Sequence, residues 1–225
     1  MHAITISREY GSGGRTVGYK VARQLGYAFV DHGLIVAVAR KAKVPVSTVE
    51  DLDEHPEGLV KRILKKALLP ESGEALFAGW HEGWHAYPVY PEMLEGDGVP
   101  PLDEDRCVDM MREVMQQMAN EGNAVFVGRG SQAVLAGANA LHVSISAPRE
   151  FRITTAMERD GFNRAEACKQ LRAIDAQRQL YLKRHHRIDW VDPGLYHLVL
   201  NTGKVGIDGA VELITDAVRL QEGGQ

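Results

Sequence analysis

Cysteine is scarce in this chain, with Cys107 and Cys168 as the two examples in 225 residues. They are distant in sequence and match no metal-ligand spacing, which argues against a disulfide framework and against a cysteine-based zinc site. We therefore expect free thiols and a cytoplasmic protein. The strand-like pattern that begins at Ala3 leaves no room for a signal peptide.

Long apolar runs and an excess of positive charge are also missing. No apolar run approaches the roughly 18 residues that span a bilayer, and the net charge of −4 argues against a general binder of nucleic acid or membrane surfaces. The charge is unevenly distributed, because residues 149–187 contain ten basic side chains against five acidic ones. This segment is suited to a polyanionic ligand, although a solvated helix face has the same composition.

Glycine, by contrast, is abundant and concentrated near the start of the chain. Residues 4–18 read ITISREYGSGGRTVG, an apolar strand-like start followed by a glycine-dense turn and a helical pattern. Gly11, Gly13 and Gly14 carry no Cβ, so backbone N–H groups can turn toward an anion, and the helix N-terminus adds its positive dipole. The segment therefore predicts a phosphate-binding loop, with an ordinary glycine-rich turn as the alternative.

The loop departs from the G-x-x-x-x-G-K-[ST] pattern at two positions. Its closing residues map onto Gly14, Arg15 and Thr16, so arginine replaces lysine, and Glu9 occupies the place of the first glycine. Arginine can hold phosphate oxygens bidentately, although it is bulkier than lysine and not interchangeable with it.

Strand-like and helix-like segments alternate along the chain, which predicts an α/β fold with a parallel sheet and helices on both faces. Ligands of such sheets bind beyond the carboxyl ends of the strands. Polar or glycine-rich residues follow three predicted strands, at Ser7–Gly14, at Asp31 and at Gly128-Arg129-Gly130. The spacing of Asn163 with Glu166, and of Ser47 with Glu50, predicts capped helix starts.

Five segments in order resemble the cytidylate kinase-like family of P-loop nucleoside monophosphate kinases. They are ISREYGSGGRTVG at 6–18, FVDHGLI at 29–35, VFVGRGSQAVL at 125–135, RAIDAQR at 172–178 and DWVDPGLYHLVLNTGKVGIDGAVELI at 189–214. The resemblance covers nearly the whole length except roughly 70–101. It implies one P-loop kinase domain over 1–225 with a five-stranded parallel core (1–45 and 103–225), a helical acceptor-binding insert (46–102) and an arginine-rich lid (159–190).

The resemblance also implies roles for individual residues. The phosphates of ATP would lie on Gly11, Ser12, Gly13, Gly14, Arg15 and Thr16, with Arg15 in the lysine's place and the Thr16 hydroxyl on Mg²⁺. Asp31 and Arg129 would bind the acceptor, and Arg172, Asp175 and Arg178 would form the catalytic lid set together with Arg15. Where cytidylate kinases have acidic residues beside the Gly-Arg of the third strand, this chain has Val127 and Gly130.

Each of these residues also has a plainer interpretation. Spacing by three places Arg172, Asp175 and Arg178 along one helix face, where they would equally suit a solvent-facing ion-pair stripe. Asp31 would suit the N-cap of the following helix, and Arg129 a surface cation.

A competing motif occurs at residues 81–85, where HEGWH matches the H-E-x-x-H signature of zinc proteases. Gly79, Gly83 and Pro88 disfavour the helix that this signature needs, and no third-ligand pattern follows. Aromatic residues in the same stretch would also suit the wall of an acceptor pocket.

Three hypotheses follow from the sequence. The leading one is an ATP- and Mg²⁺-dependent kinase, monomeric or homodimeric, whose acceptor is a nucleoside monophosphate, CMP or dCMP first, or another small metabolite. The second is a nucleotide-binding regulatory protein with little or no turnover, which the replacement of the lysine by Arg15 would explain. The third is a zinc hydrolase built on residues 81–85.

Overall fold

The computed structural model describes residues 3–52 and 102–223. Within them the strands are β1 (Ala3–Arg8), β2 (Ala28–Val30), β3 (Ala124–Val127), β4 (Ala140–Ser146) and β5 (Leu198–Asn201). The helices are α1 (Gly14–Leu25), α2 (His32–Ala42), α3 (Val46–Leu52), α4 (Glu104–Glu121), α5 (Ser131–Val134), α6 (Arg149–Asp160), α7 (Arg164–His186) and α8 (Thr202–Gly223). A 3₁₀ turn covers Pro193–Leu195.

The strands form one parallel sheet in the order β2-β3-β1-β4-β5. Ile4 pairs with Val125 on one side and with Leu141 on the other, so β1 is central. All five strands therefore end at the same edge, and the loops that follow β1, β2 and β3 meet there. The predicted α/β class and the five-stranded P-loop kinase core are confirmed.

Strict alternation along the strands divides the core between the two faces of the sheet. Ile4 and Ile6 are fully buried against the face covered by α1 and α8, in a cluster that includes Val17 and Ile214. Phe126 lies on the other face with the α4 methionines Met111, Met115 and Met118. The residues between these positions point the other way, because successive side chains of a strand alternate.

Helix boundaries follow the predicted caps in one case and not in the other. Asn163 Oδ1 accepts from the Glu166 N–H at 3.0 Å, and Glu166 Oε2 accepts from the Asn163 N–H at 2.9 Å, so the cap of α7 is confirmed. The cap predicted at Ser47 is wrong, because α3 begins at Val46 and Ser47 lies inside it. No helix in 3–52 or 102–223 is long and apolar enough to cross a bilayer.

A buried histidine, His142 of β4, stacks on an exposed one, His197, which directly precedes β5. His142 is 6% exposed, its Nδ1 lies 2.8 Å from the Thr5 hydroxyl, and its ring stacks on His197 with 5.2 Å between centroids. Burial, assisted by the nearby His197, lowers the pKa of His142 from 6.5 to about 4. The folded state therefore holds this imidazole neutral where an unfolded chain would protonate it.

Acid should weaken the fold through His142. At pH values above 6.5 the group is neutral in both states, and between 6.5 and 4 only the unfolded state binds the proton. We expect a loss of about 2–3 kcal/mol in unfolding free energy across that interval from this group alone. Urea unfolding at several pH values, compared with His142→Asn, checks it, because acid effects shared with other groups cancel. Parallel profiles for the two proteins would contradict the assignment.

Candidate functional site

The glycine-rich turn joins β1 to α1 and folds back tightly on itself. Gly11 and Gly13 both adopt φ of 77°, a left-handed conformation that L-residues with side chains seldom take. A Cβ on Gly11 would lie 2.5 Å from the Arg152 carbonyl oxygen, and one on Gly13 would lie 2.3 Å from Ile207 Cδ1. Both positions therefore require glycine for conformation and for space.

Side-chain bonds hold this turn and leave the start of α1 open. The Ser12 hydroxyl donates to the Glu9 carbonyl at 2.8 Å, and the Thr202 hydroxyl donates to the Ser12 carbonyl at 2.7 Å. No side chain caps α1 at Gly13. The first N–H groups of α1 have no partner within the helix, so they can donate hydrogen bonds to a bound anion. The side chains of Arg15 and Thr16 are exposed at the same end of the helix.

Arg152 of α6 holds the turn from the opposite side. Its Nε donates to the Tyr10 carbonyl at 2.7 Å, its Nη1 lies 3.0 Å from Glu9 Oε1, and its Nη2 pairs with Asp175 of α7. Asp175 Oδ1 also accepts from the Tyr10 N–H at 2.9 Å. Glu9 Oε2 accepts from the N–H of Ala147, the residue that follows β4, at 3.0 Å, so this network joins the turn, the end of β4, α6 and α7.

The Tyr10 side chain adds a further anchor on α6. Its hydroxyl donates to Asp160, and the Arg159 guanidinium lies 4.9 Å from the ring centroid. Burial and the bond to Asp160 raise the pKa of the Tyr10 hydroxyl, so that it stays a donor. The turn is thus fixed through backbone and side chain together.

Asp31 joins two arginines at the mouth of the turn. Arg15 Nε lies 2.6 Å from Asp31 Oδ2, and Arg129 Nη1 lies 2.9 Å from the Asp31 carbonyl oxygen and 3.4 Å from Oδ1. The Asp31 side chain makes no cap to α2, and Arg129 is 5% exposed. The interpretations of Asp31 as a helix cap and of Arg129 as a surface cation are therefore wrong.

A narrow crevice beyond β1 and β3 is rich in arginine. Arg8, Arg129 and Arg178 line it, with Ser7, Gln132 and Trp190 among the other wall residues. Arg178 Nη1 donates to the Arg8 carbonyl at 3.2 Å, and Arg8 lies so close over Gly128 that a Cβ there would be 1.9 Å from its Nη1. Such a concentration of positive charge is suited to an anionic ligand.

The structure brings together most of the predicted residues. Asp175 and Arg178 reach the glycine-rich turn from α7, whereas Arg172 is exposed on that helix and does not line the crevice. Sequence reasoning missed Arg8 and Arg152. Arg8 is the last residue of β1, at the carboxyl end where ligands of parallel sheets bind, so its position was an available signal. Nothing local distinguishes Arg152 within a charged helix.

Two sequence predictions fall outside the residues that the structure describes. These are the H-E-x-x-H motif at 81–85 and most of the acceptor insert predicted at 46–102. In 3–52 and 102–223, no group of three or more histidine, cysteine, aspartate or glutamate residues could hold a metal ion.

Comparison with known proteins identifies the family to which the chain belongs. The model of the cytidylate kinase-like family matches residues 3–204. The chain belongs to the cytidylate kinase-like family. A curated relative from Pyrococcus horikoshii, named cytidylate kinase, is 24% identical over 215 residues, which cover 96% of this chain and 87% of the relative.

A solved structure shares this fold. An uncharacterized protein from Eubacterium ventriosum superposes with a TM-score of 0.65 at 18% identity, over 97% of this chain and 99% of that one. A shikimate kinase from Bacteroides thetaiotaomicron gives a TM-score of 0.47 at 13% identity, over 97% and 98% of the two chains. As a member of this family with a P-loop kinase fold, the protein is a P-loop kinase of a nucleotide or another small metabolite.

Arg152 should matter for stability far more than a comparable surface arginine. Arg152→Ala would remove the short ion pairs of two partly buried carboxylates, Glu9 and Asp175, and the bond to the Tyr10 carbonyl, so we expect a loss of about 3 kcal/mol in unfolding free energy. The matched control is Arg164→Ala, which removes an exposed pair with Glu150 between the same two helices and should change stability little. Urea titration of the three proteins measures both values. Equal effects of the two substitutions would show that the network does not hold the turn.

Proposed function

We propose that this protein transfers the γ-phosphoryl group of ATP to a nucleoside monophosphate, with CMP and dCMP as the leading acceptors. The observation that carries this proposal is one juxtaposition. A glycine-rich turn with open helix N–H groups adjoins a crevice lined by Arg8, Arg129 and Arg178. Membership of the cytidylate kinase-like family and the name of the Pyrococcus horikoshii relative support the choice of acceptor.

The donor side of the reaction is assigned to the turn and the first residues of α1. Gly11, Ser12, Gly13 and Gly14 shape the loop, and the N–H groups at the start of α1 bind phosphate oxygens. Arg15 takes the place of the usual lysine. In the free protein it is paired with Asp31 at 2.6 Å, and its guanidinium exchanges that partner for phosphate when ATP binds.

The acceptor side is assigned to the crevice. Arg129, fixed by Asp31, binds the phosphate of the acceptor, and Arg178 neutralises charge on the moving phosphoryl group. Phosphoryl transfer needs positioning and charge neutralisation rather than covalent help from the protein. Asp175 acts as a positioning residue, because it lies 3.8 Å from Arg178 Nη1 and also accepts from the Tyr10 N–H. Arg172 would reach the site only after movement of α7.

We propose that Mg²⁺ binds with few ligands from the protein itself. Mg²⁺ in kinases keeps several waters and binds substrate phosphates, so it needs little from the protein. The exposed Thr16 hydroxyl on the first turn of α1 is the proposed ligand, while both oxygens of Asp31 lie near arginines. When bound, the ion neutralises phosphate charge. The residues described above orient the two substrates around it.

A panel of nucleoside monophosphates tests the proposal directly. Each would be incubated with ATP and Mg²⁺, and the nucleoside diphosphate products would be separated and quantified. We expect CMP or dCMP to give the highest kcat/KM. Absence of a diphosphate product from every acceptor would overturn the nucleotide version of the proposal.

Arg178→Ala should lower kcat far more than it raises the KM for ATP. A guanidinium that acts mainly in the transition state contributes a factor of about 10³ or more in enzymes of this kind. Steady-state kinetics of Arg178→Ala would be compared with Lys169→Ala, an exposed cation on the same helix whose loss should change neither parameter. A larger change in the KM for ATP than in kcat would contradict this role, and a similar defect in Arg172→Ala would place that residue in the lid as well.

A second candidate function rests on the pair between Arg15 and Asp31. Because the residue in the lysine's place already has a short bond to a carboxylate, the protein could bind nucleotide as a regulator with little turnover. Tight ATP binding by calorimetry without phosphoryl transfer to any acceptor, small phosphorylated metabolites included, would favour this candidate. Measurable turnover would exclude it.

A further inference from the structure

We propose that Gln132 selects the acceptor, by accepting a hydrogen bond from an N–H or O–H donor of the molecule bound in the arginine crevice. The proposal rests on the proposed function, since it concerns the acceptor of that same site. Gln132 follows the Gly-Arg-Gly segment after β3 and lines the crevice together with Arg8, Arg129 and Arg178. A metabolite that carries both a phosphate and a hydrogen-bond donor could bind the arginines through its phosphate and Gln132 through its donor.

The first observation is an unsatisfied oxygen. Gln132 is 3% exposed, and its Oε1 is buried with no hydrogen-bond partner among the described residues. The neighbouring Ser131 hydroxyl, on a fully buried residue, has no such partner either. Buried polar atoms are nearly always hydrogen-bonded in folded proteins, so this carbonyl, on a residue of the crevice wall, is available to accept from a bound molecule.

The second observation is that the contact with Tyr196 favours one orientation of the Gln132 amide. The Tyr196 hydroxyl donates its proton to the Trp190 carbonyl at 2.7 Å, so its oxygen is left to accept. The Gln132 Nε2 group donates to that oxygen through a long bond of 3.5 Å. If the amide were reversed, two acceptor oxygens would face each other.

The Tyr196 hydroxyl stays protonated, which maintains this orientation of the Gln132 amide. Burial raises the pKa of the Tyr196 hydroxyl, so it remains protonated and continues to serve the Trp190 carbonyl. Ser7, another residue of the crevice wall, also contacts the Tyr196 hydroxyl. Gln132 therefore offers an acceptor, and a ligand atom that is itself an acceptor would be repelled there.

Two groups of a nucleoside monophosphate could supply the donor. The exocyclic amine of cytosine is a donor where uracil has a carbonyl acceptor, and the ribose 2′-hydroxyl is a donor that deoxyribose lacks. All three nucleotides CMP, UMP and dCMP carry the same phosphate. Ratios of their dissociation constants therefore cancel the contribution of the arginines. The CMP/dCMP ratio reports the 2′-hydroxyl, and the CMP/UMP ratio reports the exocyclic amine together with N3, which is an acceptor in cytosine and a donor in uracil.

The experiment measures these ratios by calorimetry on the full chain, without ATP. We expect the wild-type protein to bind CMP about tenfold or more tightly than one of the two analogues, as is typical when a buried acceptor loses its donor. In Gln132→Met that ratio should fall to near one, and in Gln132→Glu, which keeps an oxygen, it should persist. UMP identifies the base amine as the donor, and dCMP identifies the 2′-hydroxyl.

Controls separate this proposal from a general defect and from the proposed function. Gln24→Met, an exposed glutamine on α1, should leave every ratio at its wild-type value. If Gln132→Met does not fold, Gln132→Asn withdraws the oxygen by one methylene and should give the same loss. Ratios within twofold of wild type in the folded variant, or equal binding of all three nucleotides by the wild type, would overturn the proposal. Turnover is measured separately, so a protein with Gln132-dependent binding and no product would refute only the proposed kinase activity.

Discussion

The guanidinium of Arg152 is the interaction on which the site depends. It contacts the Tyr10 carbonyl, the Glu9 carboxylate and the Asp175 carboxylate, and so joins three separate segments of the chain. The N–H groups at the start of α1 are open to a ligand, so they do not hold the turn. Its conformation is held through earlier N–H groups such as that of Tyr10, and through carbonyls that accept from Arg152 and Thr202.

Carboxylates offset the repulsion between the clustered arginines. Arg8, Arg129 and Arg178 lie around one crevice, and like charges in such proximity repel one another unless carboxylates or carbonyls offset them. Asp31 serves Arg15 and Arg129, and Asp175 serves Arg152 and Arg178. Two carboxylates thus organise four arginines. The result is a cationic surface, held in place by neighbouring carboxylates, that suits an anionic ligand.

The position of each functional residue follows from the parallel sheet. Because β1, β2 and β3 run in one direction, the glycine-rich turn, Asp31 and Arg129 meet at one edge although they are distant in sequence. Helix α7 crosses that edge and adds Asp175 and Arg178. The departures from the family pattern, Val127 and Gly130, lie at this same edge. Gln132 follows them by two residues and supplies a polar group on the crevice wall.

The sequence by itself determined the alternation of strands and helices, the glycine-rich turn and the polar ends of three strands. These features are local, because strand and helix periodicity and the conformation of glycine are properties of neighbouring residues. Only the tertiary structure decided that Arg8 lines the crevice and that Arg152 holds the glycine-rich turn. It also decided that Arg172 lies exposed on α7 and that Gln132 Oε1 is buried without a partner among the described residues. Those outcomes depend on contacts between residues more than 50 positions apart, such as Arg152 with Tyr10 and Gln132 with Tyr196. Spacing along the chain carries no record of such contacts, since they form only when the sheet and α7 are packed together.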